Sequence, residues 1–352
     1  MNTIYHIFSA NRVHLVPQIL KSFYLLIKNS NHVFLLLVDS NFIDNSCYEK
    51  IKSNYNEIQL FYIMNFKQLR SAISDKKSAI LFHSLMPSYI LKLIYCRYVN
   101  INVVFWGSGI HMLNGKNYFL YPFKYFLYHR FHSIVTLMES DKIALKRNFL
   151  LKRIYLLPYI GERELLIRKM KLPLKRVNEI VVYVGNNSSC ISSYCYIAQN
   201  ILKKWSDEIH VEFMLNYNLS INDGFRKLQS ICQDYKDAVL NTTFYDLEDY
   251  IFYMNKCSHY LCNEHSQTGL GAIYTCLQLG KKIFLAGANY DWISSLGCKI
   301  YHIEEINNMS YEEFVTPLSN DIICHNMEIM KRLEDIDTKV NAWNSYLSSL
   351  SM

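Results

Sequence analysis

The stretch that decides the fold runs from His259 to Ala286. It reads His259-Tyr-Leu-Cys262, then Asn263-Glu264-His265-Ser-Gln267-Thr268, then Gly269-Leu-Gly271-Ala-Ile-Tyr-Thr-Cys-Leu-Gln-Leu-Gly280, then Lys282-Ile-Phe-Leu-Ala286. The first and last pieces are short apolar runs without alternation, which marks strands buried on both faces. The middle piece has helix length, opens on two glycines, and closes on a glycine suited to the residue just past a helix end. Strand, loop, helix and strand in this order predict a right-handed crossover between two parallel strands.

Working outward, the same alternation fills the chain. Strands are expected upstream at 179–184, 209–215 and 238–242, and downstream at 299–303. The first half repeats the pattern, with strands expected at 3–8, 32–38, 57–64, 78–82, 102–106, 133–137 and 154–157. Between the halves, residues 163–178 are basic, contain Pro173 and lack a clear period, so they read as a linker. The expectation is an α/β chain of two Rossmann-like domains facing across a cleft. Residues 1–162 form the first and residues 179–320 the second. Residues 321–352 are expected as one long helix packing back toward the first.

Composition limits the function classes. The 352 residues are 51% hydrophobic, with 11 Gly and 6 Pro, enough for sizeable cores and unlike a disordered or collagenous chain. The net charge of +7 is too small an excess for a nucleic-acid binder, so no nucleic-acid partner is expected. It suits an anionic ligand or an anionic membrane surface. Ten Cys occur without C-x-x-C or a zinc-ligand spacing, which suggests reduced thiols and no metal site. The first eight residues have no basic region, and no apolar run approaches the ~20 residues of a membrane span. A soluble or peripheral protein is expected.

In open parallel sheets the ligand sits beyond the carboxyl ends of the strands, and that rule selects the candidate residues. Gly269 and Gly271 open a helix where free backbone N–H groups and the positive helix end would meet an anion. The same glycines would also serve tight packing alone, and the short G-x-G does not choose between the two. Gly185-Asn186-Asn-Ser188 ends the first strand of the second domain, either as a phosphate or ribose contact or as an ordinary turn. Glu264, His265 and Gln267 follow another strand and could hold sugar hydroxyls. In the first domain His83 ends one strand, and Trp106, Gly107 and His111 lie at the end of the next. Histidine suits general-base work near neutral pH. His83 is the first candidate base and Glu139, at a third strand end, the second. Asp141 reads as a helix N-cap. Trp106, Gly107 and His111 are the acceptor-binding candidates. Residues 117–130 mix aromatics with Lys124, His129 and Arg130, either as an interfacial helix on anionic lipid or as a buried helix with a basic edge.

At these loops the sequence resembles the enterobacterial TDP-N-acetylfucosamine:lipid II N-acetylfucosaminyltransferase family, also called 4-alpha-L-fucosyltransferase. The matching pieces are Phe82-His83-Ser-Leu-Met-Pro87, Phe105-Trp106-Gly107, Tyr121-Pro122, Val184-Gly185-Asn186-Asn-Ser188 and Gln267-Thr-Gly269-Leu-Gly271 through Gly280, in family order across residues 80–300. The resemblance implies the GT-B glycosyltransferase fold and an inverting, metal-independent mechanism with no cofactor. It implies a dTDP-linked deoxy-amino sugar as donor and an undecaprenyl-diphosphate-linked saccharide as acceptor. It places the protein peripherally on the cytoplasmic face of the bacterial inner membrane. The family has an acid where this chain has Gly109, and Asn263-Glu-His-Ser266 also departs from it. Both changes fall where sugars would bind, so O-antigen synthesis is expected as readily as enterobacterial common antigen synthesis. Two other classes share the architecture or the pathway: a nucleotide-sugar epimerase, and a non-catalytic carbohydrate-binding protein of a polysaccharide assembly complex.

Overall fold

The structure, a computed structural model, describes residues 3–10, 16–27, 31–38, 46–106, 120–161, 163–170, 172, 179–185, 191–205, 208–215, 222–265 and 268–350. The chain divides into two compact units, Met1–Gly161 with Asp335–Met352, and Glu162–Glu334.

Unit 1 alternates β1 (Thr3–Ser9), α1 (Val16–Leu26), β2 (Asn31–Leu37), α2 (Ser46–Asn54), β3 (Gln59–Ile63), α3 (Phe66–Ala72), β4 (Ala79–Phe82), α4 (Pro87–Tyr95), β5 (Ile101–Phe105), α5 (Tyr121–Tyr128), β6 (Ser133–Thr136), α6 (Glu139–Phe149) and β7 (Ile154–Leu156). The strands form one parallel sheet in the order β3-β2-β1-β4-β5-β6-β7. Neighbouring residues of a strand point to opposite faces. Ile4, Phe8, Phe34 and Leu36 therefore join one core, while Ile7, Leu35, Ile80 and Phe82 join the other.

Unit 2 begins with α7 (Arg163–Met170). It continues through β8 (Val181–Val184), α8 (Ile191–Trp205), β9 (His210–Met214), α9 (Asp223–Gln233), β10 (Ala238–Asn241), α10 (Leu247–Lys256), β11 (His259–Cys262), α11 (Leu270–Gln278), β12 (Lys282–Leu285), α12 (Gly287–Ser295), β13 (Tyr301–His302), α13 (Tyr311–Val315) and α14 (Asn320–Leu333). Its sheet is also parallel, in the order β10-β9-β8-β11-β12-β13. Both sheets run outward in two directions from a central pair. In unit 1 the pair is β1 and β4, and in unit 2 it is β8 and β11. The carboxyl ends of such a pair form the crevice where open α/β sheets bind ligands.

Three expectations change. Residues 163–170, read as linker, fold as α7, which packs in unit 2 near α10 and α11. The expected terminal helix is two. α14 ends at Leu333, and Asp335 starts α15 (Ile336–Ser349) by accepting a hydrogen bond from the Thr338 amide. α15 belongs to unit 1, where Trp343, Tyr346, Leu347 and Leu350 close one of its cores. Asp141 is not an N-cap, because α6 begins two residues earlier and Asp141 lies buried in its first turn.

Candidate functional site

In unit 2 the chain leaves β11 into the loop that carries Glu264 and His265. Glu264 is 8% exposed, and its carboxylate accepts a hydrogen bond from Ser193 of α8 at 3.0 Å. His265 is exposed, and its carbonyl accepts from the Ala288 amide at 3.2 Å. Asn289 donates to the Thr268 carbonyl at 2.8 Å, which fixes the approach to α11. Gly269 then adopts φ 67°, a conformation that a residue without a Cβ takes at little cost, and α11 starts without any side-chain cap. Gly271 is exposed, while residues 272–278 are buried. The positive end of a buried helix thus comes to the surface of unit 2 at a glycine.

Arg163 stands beside it as the cation of an ion pair. Its guanidinium donates to Glu334 at 2.6 Å, lies over the Tyr274 ring at 5.3 Å, and brings Nη1 to 3.5 Å from where a Cβ on Gly271 would stand. The sequence reading missed Arg163 because it placed the residue in a linker. Its only local signal was an arginine at the head of a basic stretch.

Gly185 plays a different part from the one expected. It follows β8 with φ 71°, and an added Cβ would fall 2.1 Å from the Tyr194 ring. Its amide already donates to the Leu261 carbonyl at 2.8 Å, so it has no hydrogen left for a phosphate. Glycine is required at 185 by packing. Asn186, Ser188 and Gln267 lie outside the described residues, as do Gly107 and His111.

In unit 1, His83 stands just beyond β4, at the central strand pair. It is 1% exposed, and both ring nitrogens are engaged: Nε2 with His6 at 2.9 Å, and Nδ1 with the Tyr159 hydroxyl at 2.7 Å. Burial holds its pKa well below the usual histidine range. His83 therefore cannot touch an acceptor directly, and the expectation that it is the contacting base is corrected. Glu139 begins α6 beyond β6. Its side chain is 38% exposed and paired with Lys142 at 3.0 Å. Trp106, just past β5, is partly exposed and donates its indole N–H to the Tyr159 oxygen at 3.0 Å. His83 and Trp106 thus meet on Tyr159, three residues past the end of β7 at Leu156. The strand-end rule reaches that position, but a lone Tyr after Pro158 carries no motif.

Further from the sheet, α5 presents Phe123, Tyr125 and Phe126 to solvent, with Arg130 stacked over Phe126 at 5.3 Å. Lys124, expected among the surface cations, turns inward and is 5% exposed. No helix among the described residues is long and apolar enough to cross a membrane.

No family model and no curated protein matches the chain by sequence. Solved structures do match along its whole length. A glycosyltransferase from Rickettsia africae superposes with a TM-score of 0.68 at 10% identity, covering 99% of this chain and 98% of its own. Anabaena HepE, in complex with UDP and glucose, gives 0.68 at 11% identity, covering 99% and 100%. The UDP-GlcNAc 2-epimerase of Neisseria meningitidis, bound to UDP-GlcNAc, gives 0.61 at 12%, covering 99% and 100%. With two parallel Rossmann-like sheets in the observed strand orders, the chain has the GT-B fold.

Proposed function

We propose that the protein is a GT-B glycosyltransferase that takes a nucleotide-diphosphate sugar as donor. The observation that carries this reading is the start of α11, where uncapped backbone amides, an exposed Gly271 and the Arg163 charge converge on one surface point. A departing diphosphate needs that combination when no metal neutralises it. Glu264, at the neighbouring strand end, would accept hydrogen bonds from donor hydroxyls, a reading its position past β11 supports. Unit 1 receives the acceptor near Trp106 and Tyr159.

The finer reading follows the sequence resemblance. The donor is a dTDP-linked deoxy-amino sugar of the N-acetylfucosamine type, and transfer inverts the anomeric centre. The acceptor is an undecaprenyl-diphosphate-linked saccharide in O-antigen or enterobacterial common antigen synthesis. The outward aromatics of α5 support contact with a membrane surface, since Phe and Tyr partition to the headgroup region. The test is to incubate the protein with dTDP- and UDP-sugars, with and without a polyprenyl-diphosphate saccharide, and measure released nucleotide diphosphate. Acceptor-dependent release with one donor is expected, and no release from any pair would reject the reading. The likeness to an epimerase structure favours a second reading. It predicts conversion of the free nucleotide sugar to an isomer without acceptor.

A further inference from the structure

A hydrogen-bonded chain through unit 1 has a defined direction. The Ile27 carbonyl can only accept, so His32 Nε2 carries the hydrogen of their 2.8 Å bond. Neutral His32 then offers Nδ1 as an acceptor, and His6 Nε2 donates to it at 2.9 Å. His6 Nδ1 is left to accept from His83 Nε2 at 2.9 Å. His83 Nδ1 in turn accepts from the Tyr159 hydroxyl at 2.7 Å. The Trp106 indole, which can only donate, gives its hydrogen to the same oxygen at 3.0 Å. One carbonyl thereby sets three tautomers, and one lone pair of the Tyr159 oxygen remains unassigned. Burial favours the neutral form of all three rings, most strongly at His6 and His83.

The chain also has two open ends. His32 begins near the amino end of β2 and is partly exposed. His6 lies in the middle of β1 and His83 just past β4, at 0% and 1% exposure. Tyr159 and Trp106 are partly exposed again at the carboxyl end of the sheet. α15 fixes that end, because Trp343 donates to the Pro158 carbonyl at 3.0 Å and Lys339 to the Tyr159 carbonyl at 3.3 Å. Packing alone does not call for imidazoles in series across an apolar core, where each polar ring costs desolvation. Proton storage does.

We propose that Tyr159 takes the proton of the acceptor hydroxyl and that His83 and His6 relay its charge to His32, which holds it during transfer. This rests on the glycosyltransferase reading. The acceptor oxygen bonds to the anomeric carbon as the bond to the diphosphate breaks, and that electron pair leaves with the diphosphate. The acceptor proton passes to the Tyr159 oxygen. The hydrogen of Tyr159 moves to His83 Nδ1, that of His83 Nε2 to His6 Nδ1, and that of His6 Nε2 to His32 Nδ1. The charge rests on His32, the ring that water reaches. Once product leaves, the hops reverse and Tyr159 yields one proton to water.

The test uses the full-length protein. Tyr159→Phe, His6→Phe and His32→Phe should each lower kcat at least tenfold with the KM of both substrates unchanged; proton transfer supplies about 10²–10⁴-fold. Folded variants that keep kcat within twofold of the parent overturn the proposal. Should His6→Phe not fold, His32→Gln, at the partly exposed end, reports on the same chain. Nitrogen-15 spectra of the unaltered protein at neutral pH should show all three rings neutral with the hydrogen on Nε2, and any other tautomer pattern overturns the proposal. A protein with the expected tautomers but no nucleotide release from any donor and acceptor instead refutes the glycosyltransferase reading beneath it.

Discussion

At the scale of single residues, two glycines that look alike in the sequence have opposite jobs. Among the described residues, a methyl on Gly271 would meet only Arg163 Nη1, at an ordinary 3.5 Å. Gly271→Ala should therefore leave the unfolding midpoint unchanged or raise it, since alanine favours a helix over glycine by about 1 kcal/mol. It should also raise the donor KM at least tenfold, because the methyl stands where a phosphate oxygen would approach the backbone. Thermal unfolding beside donor titration checks both halves. Gly185→Ala should do the reverse. Its positive φ and the 2.1 Å clash with Tyr194 predict a loss of about 1–3 kcal/mol or more in urea unfolding. Nothing in Gly185-Asn-Asn-Ser188 revealed this, because the reason for the glycine lies on α8, at Tyr194.

At the scale of elements, α7 shows how composition misled. Its stretch is basic and runs toward Pro173, which reads as linker, yet Arg163 fastens it to α14 through Glu334. The two side chains are 17% and 5% exposed, so the pair is nearly dry. Arg163→Met removes one half of this nearly dry pair and should cost about 3–5 kcal/mol. Arg163→Met with Glu334→Leu should recover most of that loss while leaving donor binding impaired. A double-mutant cycle of unfolding free energies, with donor affinities alongside, decides it. On α5, the outward Phe123 and Phe126 should carry the contact with lipid. Changing both to Ser should abolish sedimentation with anionic vesicles and leave turnover of a soluble acceptor analogue intact.

At the scale of the whole molecule, the buried histidines make stability sensitive to mild acid. Burial pushes the His259 pKa down to about 3, and also lowers His6, His32 and His83. In the unfolded chain these rings titrate near 6.5. Below that pH the unfolded state binds more protons, so stability is full above about 6.5 and is lost as pH falls toward 3. Each such ring contributes up to about 1.4 kcal/mol per pH unit in that window. Urea midpoints should drop clearly between pH 7.5 and 5.5, before carboxylates titrate. An unchanged midpoint would mean that the rings are not buried in solution.

The order of elements was legible from local pattern. Apolar runs of four to seven residues, separated by helix-length segments, specify parallel strands buried on both faces, and the start of α11 follows from two glycines after such a run. These properties belong to neighbours in sequence. The histidine chain does not, because its residues stand at positions 6, 32, 83, 106 and 159 and meet only when strand order 2-1-4 brings β1 between β2 and β4. The terminal helix likewise divided between two units because Trp343 fits a core made by α1 and β1, which lie more than 300 residues earlier in the chain. The sequence by itself determined the α/β alternation and the carboxyl-end loops, because hydrophobic period and glycine placement are local. Tertiary structure alone decided which side chains touch, since hydrogen bonds and ion pairs depend on distances set by sheet order.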